Sequence, residues 1–124
     1  MSKTILAIDD DKEFLETLKD ILTSKGYEVK SLDDPTLAEQ KIEKHDPDLI
    51  IIDIFMPERT GFNIIEDFNE KKLYQDVPKL FLTCLDDDIE RMTAAASGVT
   101  HYLTKPFHPE DLINQVKELI GEGT

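Results

Sequence analysis

The sequence predicts a doubly wound α/β domain: five parallel strands in one sheet, with helices on both faces. Two observations carry that prediction. Apolar runs of strand length alternate with segments of helical period from end to end of the 124-residue chain. The clearest runs, Thr4–Ile8 and Leu49–Ile52, also contain no charged residue, as strands covered on both faces require. The length leaves room for one domain, whose core needs no disulfide or structural metal.

Thr4–Ile8 (TILAI) reads as the first strand. Asp11 can then cap a helix whose Phe14, Leu15, Leu18, Ile21 and Leu22 share one face, and Gly26 stops it. Tyr27–Leu32 is a weaker second strand. Asp34 and Pro35 open a second helix, with proline where its missing N–H costs nothing. Asp48–Ile54 (DLIIIDI) is the strongest strand signal in the chain. Pro57 and Gly61 break the structure after it, and Phe62, Ile65 and Phe68 mark a third helix. Lys79–Thr83 (KLFLT) is the fourth strand. Asp86–Asp88 cap a fourth helix that runs through Ala96 and ends at Gly98. His101–Thr104 is a short fifth strand. His108 and Pro109 open the fifth and last helix, with Leu112, Ile113, Val116, Leu119 and Ile120 on its core face and Gly121 at its end. No repeat, low-complexity tract or linker intervenes. Residues 1–124 are therefore expected to form one domain, without a second domain to carry an output.

Composition narrows the functions. Hydrophobic residues at 40% and charged residues at 33% suit a water-soluble globular chain rather than a disordered one. A net charge of −13 repels phosphate backbones, which argues against direct nucleic-acid binding. The single cysteine, Cys84, excludes an internal disulfide framework. No stretch approaches the roughly 20 apolar residues of a membrane span, and the short run Ile5–Ile8 meets three aspartates rather than a cleavage site. The expected location is the cytoplasm.

In an open α/β sheet, functional groups gather at the carboxyl ends of the strands. There the sequence places Asp9 and Asp10, Asp53, Thr83 and Lys105. Each has an ordinary explanation when taken alone. Asp9–Asp11 suits a helix cap and an acidic first turn, Lys105 a loop lysine, Thr83 a strand residue. Asp53 fits less easily, because an ionised group at the end of Leu49–Ile52 needs a partner. Packing does not call for several carboxylates, a hydroxyl and an ammonium on one rim. Grouped carboxylates repel unless a cation joins them, and oxygen ligands of this kind suit Mg2+.

Four ordered motifs then identify a family. They are IDDD at 8–11, DIFMP at 53–57 with Gly61 eight residues after the aspartate, FLT at 81–83 and YLTKPF at 102–107. With them the chain resembles the receiver domain of two-component response regulators over essentially its whole length, most closely the single-domain, chemotaxis-regulator-like type. The resemblance implies a flavodoxin-like (βα)5 fold with strand order 2-1-3-4-5. It implies that Asp53 accepts a phosphoryl group. Asp9 and Asp10 then hold Mg2+ together with Asp53 and the backbone carbonyl of Phe55, while Thr83 and Lys105 bind phosphoryl oxygens. Tyr102 is the aromatic residue that turns inward when the threonine moves, and Asp11 is left as a helix cap. The chemistry is consistent. Three carboxylates, one Mg2+ and one lysine carry no net formal charge before the donor arrives, which lets two anions approach in line.

The same resemblance implies partners. The phosphoryl group comes from a sensor histidine kinase, a phosphotransfer protein or a small-molecule phosphodonor. A downstream protein or a second copy reads the face built by the fourth helix, fifth strand and fifth helix. Such a chain promotes its own phosphorylation and dephosphorylation and is not a turnover enzyme. Phe55 and Leu85 are apolar where the family often has polar side chains. Cys84 is larger than the usual Ala or Gly, and Val99–His101 replaces a more typical small and acidic stretch.

Three other functions compete. A receiver-like protein-binding module regulated without phosphorylation would lack one of the reacting residues, and all are present. Asp9 and Asp11 superficially resemble the haloacid-dehalogenase phosphatase motif, but Glu13 stands where that motif expects Thr or Val, and no cap domain fits. A flavin carrier would need a Gly/Ser/Thr-rich loop after the first strand, where three aspartates repel a phosphate. His45, His101 and His108 lack metal-ligand spacing.

Overall fold

The computed structural model describes residues 2–83, 99 and 101–123. The chain forms β1 (Thr4–Ile8), α1 (Lys12–Thr23), β2 (Glu28–Leu32), a 3-10 turn (Pro35–Leu37), α2 (Ala38–His45), β3 (Leu49–Asp53), α3 (Gly61–Lys71), β4 (Lys79–Thr83), β5 (His101–Thr104) and α4 (Pro109–Ile120). The five strands pair in parallel in the order β2-β1-β3-β4-β5, as the resemblance implied. The last element is the expected fifth helix. The expected fourth one, with Asp86–Asp88, Ala96 and Gly98, lies outside the described residues, as do Cys84 and Leu85.

Strand side chains alternate between two cores. On one side Leu6, Ile8, Ile50, Ile52 and Phe81 pack with Ile42 of α2 and with Ile64, Ile65 and Phe68 of α3. On the other, Ile5, Ala7, Leu49, Ile51, Leu80 and Leu103 pack with Leu15, Leu18 and Leu22 of α1 and with Leu112 and Val116 of α4. β3 is buried at every position, which is why its sequence is an unbroken apolar run rather than an alternation. No helix among the described residues is long and apolar enough to cross a membrane.

Five boundaries differ from expectation: β3 ends at Asp53 rather than Ile54, and the other four differ for local reasons. α1 ends at Thr23, before Gly26, because the Ser24 side chain turns back to donate to the Ile21 carbonyl at 2.6 Å. Gly26 then takes the left-handed conformation (φ 90°) that turns the chain toward β2. β2 begins at Glu28, since the Tyr27 amide still donates to Leu22 of α1 and its hydroxyl donates to the Gly121 carbonyl at 2.5 Å. Asp34 opens a 3-10 turn rather than an α-helix. Its carboxylate accepts from the Thr36 amide at 3.0 Å and hydroxyl at 2.6 Å, two residues on, which closes a tighter turn and delays α2 to Ala38. β3 begins at Leu49, because Asp48 exchanges bonds with Thr4, its amide donating at 2.7 Å and its carboxylate accepting at 2.8 Å.

β2 has no strand beyond it and so forms one edge of the sheet. Its Glu28 and Lys30 side chains, both partly exposed, pair at 3.1 Å.

Candidate functional site

The sheet's alternation brings the first two carboxylates together. The β1 ladder runs one step beyond the strand, with the Asp9 amide donating to Leu32 at 3.1 Å. Asp9 thus continues the Ile5–Ala7 row and Asp53 the Leu49–Ile51 row, on neighbouring strands and on the side covered by α1 and α4. Both are almost fully buried, whereas Asp10, one residue further on, is exposed. One oxygen from each of Asp9, Asp10 and Asp53 lies within 4.8 Å of the others.

Lys105 reaches this group from the end of β5. Its amide donates to the Thr83 carbonyl at 2.6 Å, which carries the β4–β5 ladder one step beyond the strands. Its Nζ lies 2.7 Å from Asp9 Oδ2 and 3.6 Å from Asp53 Oδ1. It also sits 4.0 Å above the centre of the Phe14 ring, on α1. Phe14 is in turn held edge-to-face by Phe107, with centroids 5.9 Å apart. The ammonium is therefore fixed by two carboxylates and a ring face, a placement that no single motif announces.

One lysine does not balance this much buried negative charge. Burial, and then the neighbouring Asp9 charge, push the Asp53 carboxyl up to about 6, against the opposing pull of Lys105. Asp9 is also raised. There burial outweighs the Lys105 bond and the Asp11 amide, which donates to its Oδ1 at 3.0 Å. Hard oxygen ligands in this number, short of positive charge, fit a divalent cation. Asp11 behaves as the expected cap, its carboxylate accepting from the Phe14 amide at 3.1 Å.

Thr83 and Tyr102 belong to the other side of the sheet. Thr83 is buried and continues the Phe81 row. Tyr102 is partly buried, stands beside Phe81 on the neighbouring strand and packs against the same core. Phe55, two residues after Asp53, leaves 49% of its surface in solvent and is the exposed large apolar side chain among the described residues.

The loop from β3 to α3 is closed at both ends. The Ile54 amide donates to Leu82 of β4 at 2.9 Å, and the Gly61 amide returns to the Ile54 carbonyl at 2.9 Å. A Cβ on Gly61 would lie 2.7 Å from the Asp53 carbonyl oxygen, so only glycine permits this closure. Thr60 caps α3, with Asn63 bonding back reciprocally. Inside the loop Glu58 adopts φ 71°, and the Arg59 amide donates to the Pro57 carbonyl at 2.8 Å, a γ-turn of the strained kind.

Sequence reasoning missed the side chain that anchors this loop. Arg59 donates through Nη1 to Glu39 Oε1 at 2.5 Å and to the Pro35 carbonyl at 3.2 Å. Through Nη2 it donates to Glu39 Oε2 at 3.1 Å and to Asp67 Oδ2 at 2.8 Å. Its partners stand 20 and 8 residues away in sequence, so no local spacing could have revealed them.

Comparison with known proteins agrees with this geometry. The family described as the response regulator receiver domain matches residues 5–117. Regulatory protein VanRc of Enterococcus gallinarum is 32% identical over 117 residues, 94% of this chain and 49% of that protein. The alkaline phosphatase synthesis transcriptional regulatory protein PhoP of Bacillus subtilis is 32% identical over 120 residues, 97% of this chain and 49% of that protein. The chain thus spans about half the length of the curated relatives it matches. Among solved structures, the Vibrio cholerae chemotaxis protein CheY4 superposes with a TM-score of 0.89 at 31% identity, covering 96% of this chain and 99% of that one. A CheY-like receiver domain protein from Methanospirillum hungatei gives 0.86 at 29% identity, covering 95% and 93%. With the parallel sheet in its 2-1-3-4-5 order and an acidic pocket of Asp9, Asp10 and Asp53 at its rim, the chain belongs to the response regulator receiver domains.

Proposed function

We propose that the chain takes a phosphoryl group on Asp53 in a Mg2+-dependent step, and that the new charge there reshapes its surface for a partner. The observation that supports this reading most directly is the convergence of Asp9, Asp10 and Asp53, with Lys105 in contact with the two buried members.

Asp53 is the nucleophile. One carboxylate oxygen bonds to the phosphorus of the donor as the donor's own bond to phosphorus breaks, leaving an acyl phosphate. Asp9, Asp10, Asp53 and the Phe55 carbonyl would hold Mg2+, which would supply the positive charge that lets two anions meet. Lys105 keeps its ammonium over the same spot and stabilises the transferred oxygens, with Phe14 and Phe107 limiting its freedom. Thr83, at the end of β4, gives its hydroxyl to one of those oxygens. Its displacement frees room on the Phe81 side of the sheet, where Tyr102 packs. Asp53 thus handles charge on one side of the sheet while Thr83 and Tyr102 report it on the other.

A sensor histidine kinase or a phosphotransfer protein is the natural donor, with small phosphodonors as substitutes. β5 and α4 form the described part of the face read by a downstream protein or a second copy. The chain promotes its own modification and acts in the cytoplasm. The test is incubation with Mg2+ and acetyl phosphate, followed by intact mass and site mapping. A single phosphoryl group on Asp53, not formed when a chelator is present throughout the incubation and absent from Asp53→Ala, is expected. Normal labelling of Asp53→Ala, or labelling that survives chelation, overturns the assignment.

A further inference from the structure

We propose that Arg59 is a positioning residue for phosphoryl transfer: by gripping Glu39 and Asp67 it holds the β3–α3 loop in the shape that presents the Phe55 carbonyl to the metal. This inference rests on the reading of Asp53 given above.

The loop leaves the sheet directly from Asp53, and its ends are pinned to β4 and to Ile54. Its middle contains the left-handed Glu58 within a γ-turn. A non-glycine residue in that conformation relaxes unless its surroundings over-determine it. The restraint is the next side chain. The Arg59 guanidinium makes four hydrogen bonds, to the 3-10 turn, to α2 and to α3, from a side chain only 15% exposed. The pair with Glu39 is bidentate, so it fixes the plane of the guanidinium as well as its distance. An isolated exposed ion pair does not do this. With the turn locked, the four residues back to Phe55 have little freedom, and neither does the direction of the Phe55 carbonyl. Lysine, a point charge without the planar fork, could not reproduce the bidentate pair and would hold the turn less firmly.

The parent, Arg59→Met and Arg59→Lys should be compared as full chains, first without metal. Amide hydrogen exchange at Arg59 and Gly61 reports the turn itself, and an amide-shift titration with Mg2+ reports the site. Arg59→Met should speed exchange at the amides of positions 59 and 61 and weaken Mg2+ binding about tenfold, the lower end of what outer partners of metal ligands contribute. Arg59→Lys should fall between it and the parent, and serves if the methionine variant does not fold. A variant that melts earlier or exchanges faster yet binds Mg2+ as tightly as the parent overturns the proposal and leaves the reading of Asp53 standing. If the parent itself neither binds Mg2+ nor takes a phosphoryl group at Asp53, the reading fails, and this inference with it.

Discussion

Asp53 should cost the metal-free protein stability at neutral pH, and removing its charge should recover it. The carboxyl is raised from 3.8 to about 6 by burial and by Asp9. Below about pH 4 the group is protonated in the folded and unfolded chains alike and costs nothing. Between about pH 4 and about 6 the unfolded chain gives up its proton while the folded one keeps it in the pocket, so stability is lost across that window and levels off above it. At about 1.4 kcal/mol per pH unit, the gap between the two values corresponds to about 3 kcal/mol, an upper bound given the coupling to Asp9. Asp53→Asn keeps the shape, removes the charge and leaves the 2.7 Å Lys105–Asp9 pair in place. Urea unfolding in EDTA at about pH 7.5 should show the variant more stable by about 2–3 kcal/mol, with the difference fading toward about pH 4. Saturating Mg2+ should raise the parent more than the variant, because the ion binds only the folded parent well. A variant no more stable than the parent at neutral pH, or a gain that does not change with pH, refutes the argument.

Three other substitutions probe separate parts of the site. Gly61→Ala would ordinarily strengthen a helix by about 1 kcal/mol. Here the added methyl meets the Asp53 carbonyl at 2.7 Å, so thermal unfolding should instead show a loss of about 1–3 kcal/mol. Asp10→Ala should weaken Mg2+ binding in a metal titration far more than Asp11→Ala, which should instead cost about 1 kcal/mol of stability through its lost cap; the reverse order would move the metal site by one residue. A double-mutant cycle of Phe14→Leu with Lys105→Met should return a coupling of about 0.5–2 kcal/mol in unfolding experiments, and zero coupling would remove the ring from the account of Lys105.

The legible parts of the molecule were those fixed by nearest neighbours and by period. β5 has the bounds the sequence implies, with the Lys105-Pro106 step closing it; β3 is fixed by its apolar run, to within a residue at each end. Asp11 caps α1 because its bond reaches only three residues along the chain. What escaped depends on contacts across the fold. Arg59 sits in a stretch of loop residues with nothing to mark it, and its value comes from Glu39 and Asp67, which only the packing of α2 and α3 delivers. Tyr27 reads as a strand residue by propensity, yet its hydroxyl is claimed by Gly121, 94 positions away. The helical spacing of Phe14 assigns it to the core. That is half right, since one of its ring faces carries the Lys105 ammonium. Asp9, Asp10, Asp53 and Lys105 meet at the rim because strand ends in a parallel sheet converge by topology.

The paired Glu28 and Lys30 on β2 have a consequence of another kind. An edge strand displays a row of unused amides and carbonyls that a passing extended chain can adopt as a template. Here any such visitor would have to strip water from both members of an ion pair held at 3.1 Å and press against them along a strand only five residues long. Growth of the sheet by recruiting unrelated or unfolded chains is therefore discouraged on this flank by charge alone, with no covering helix needed. The domain can thus present β2 at the edge of its sheet without inviting aggregation there.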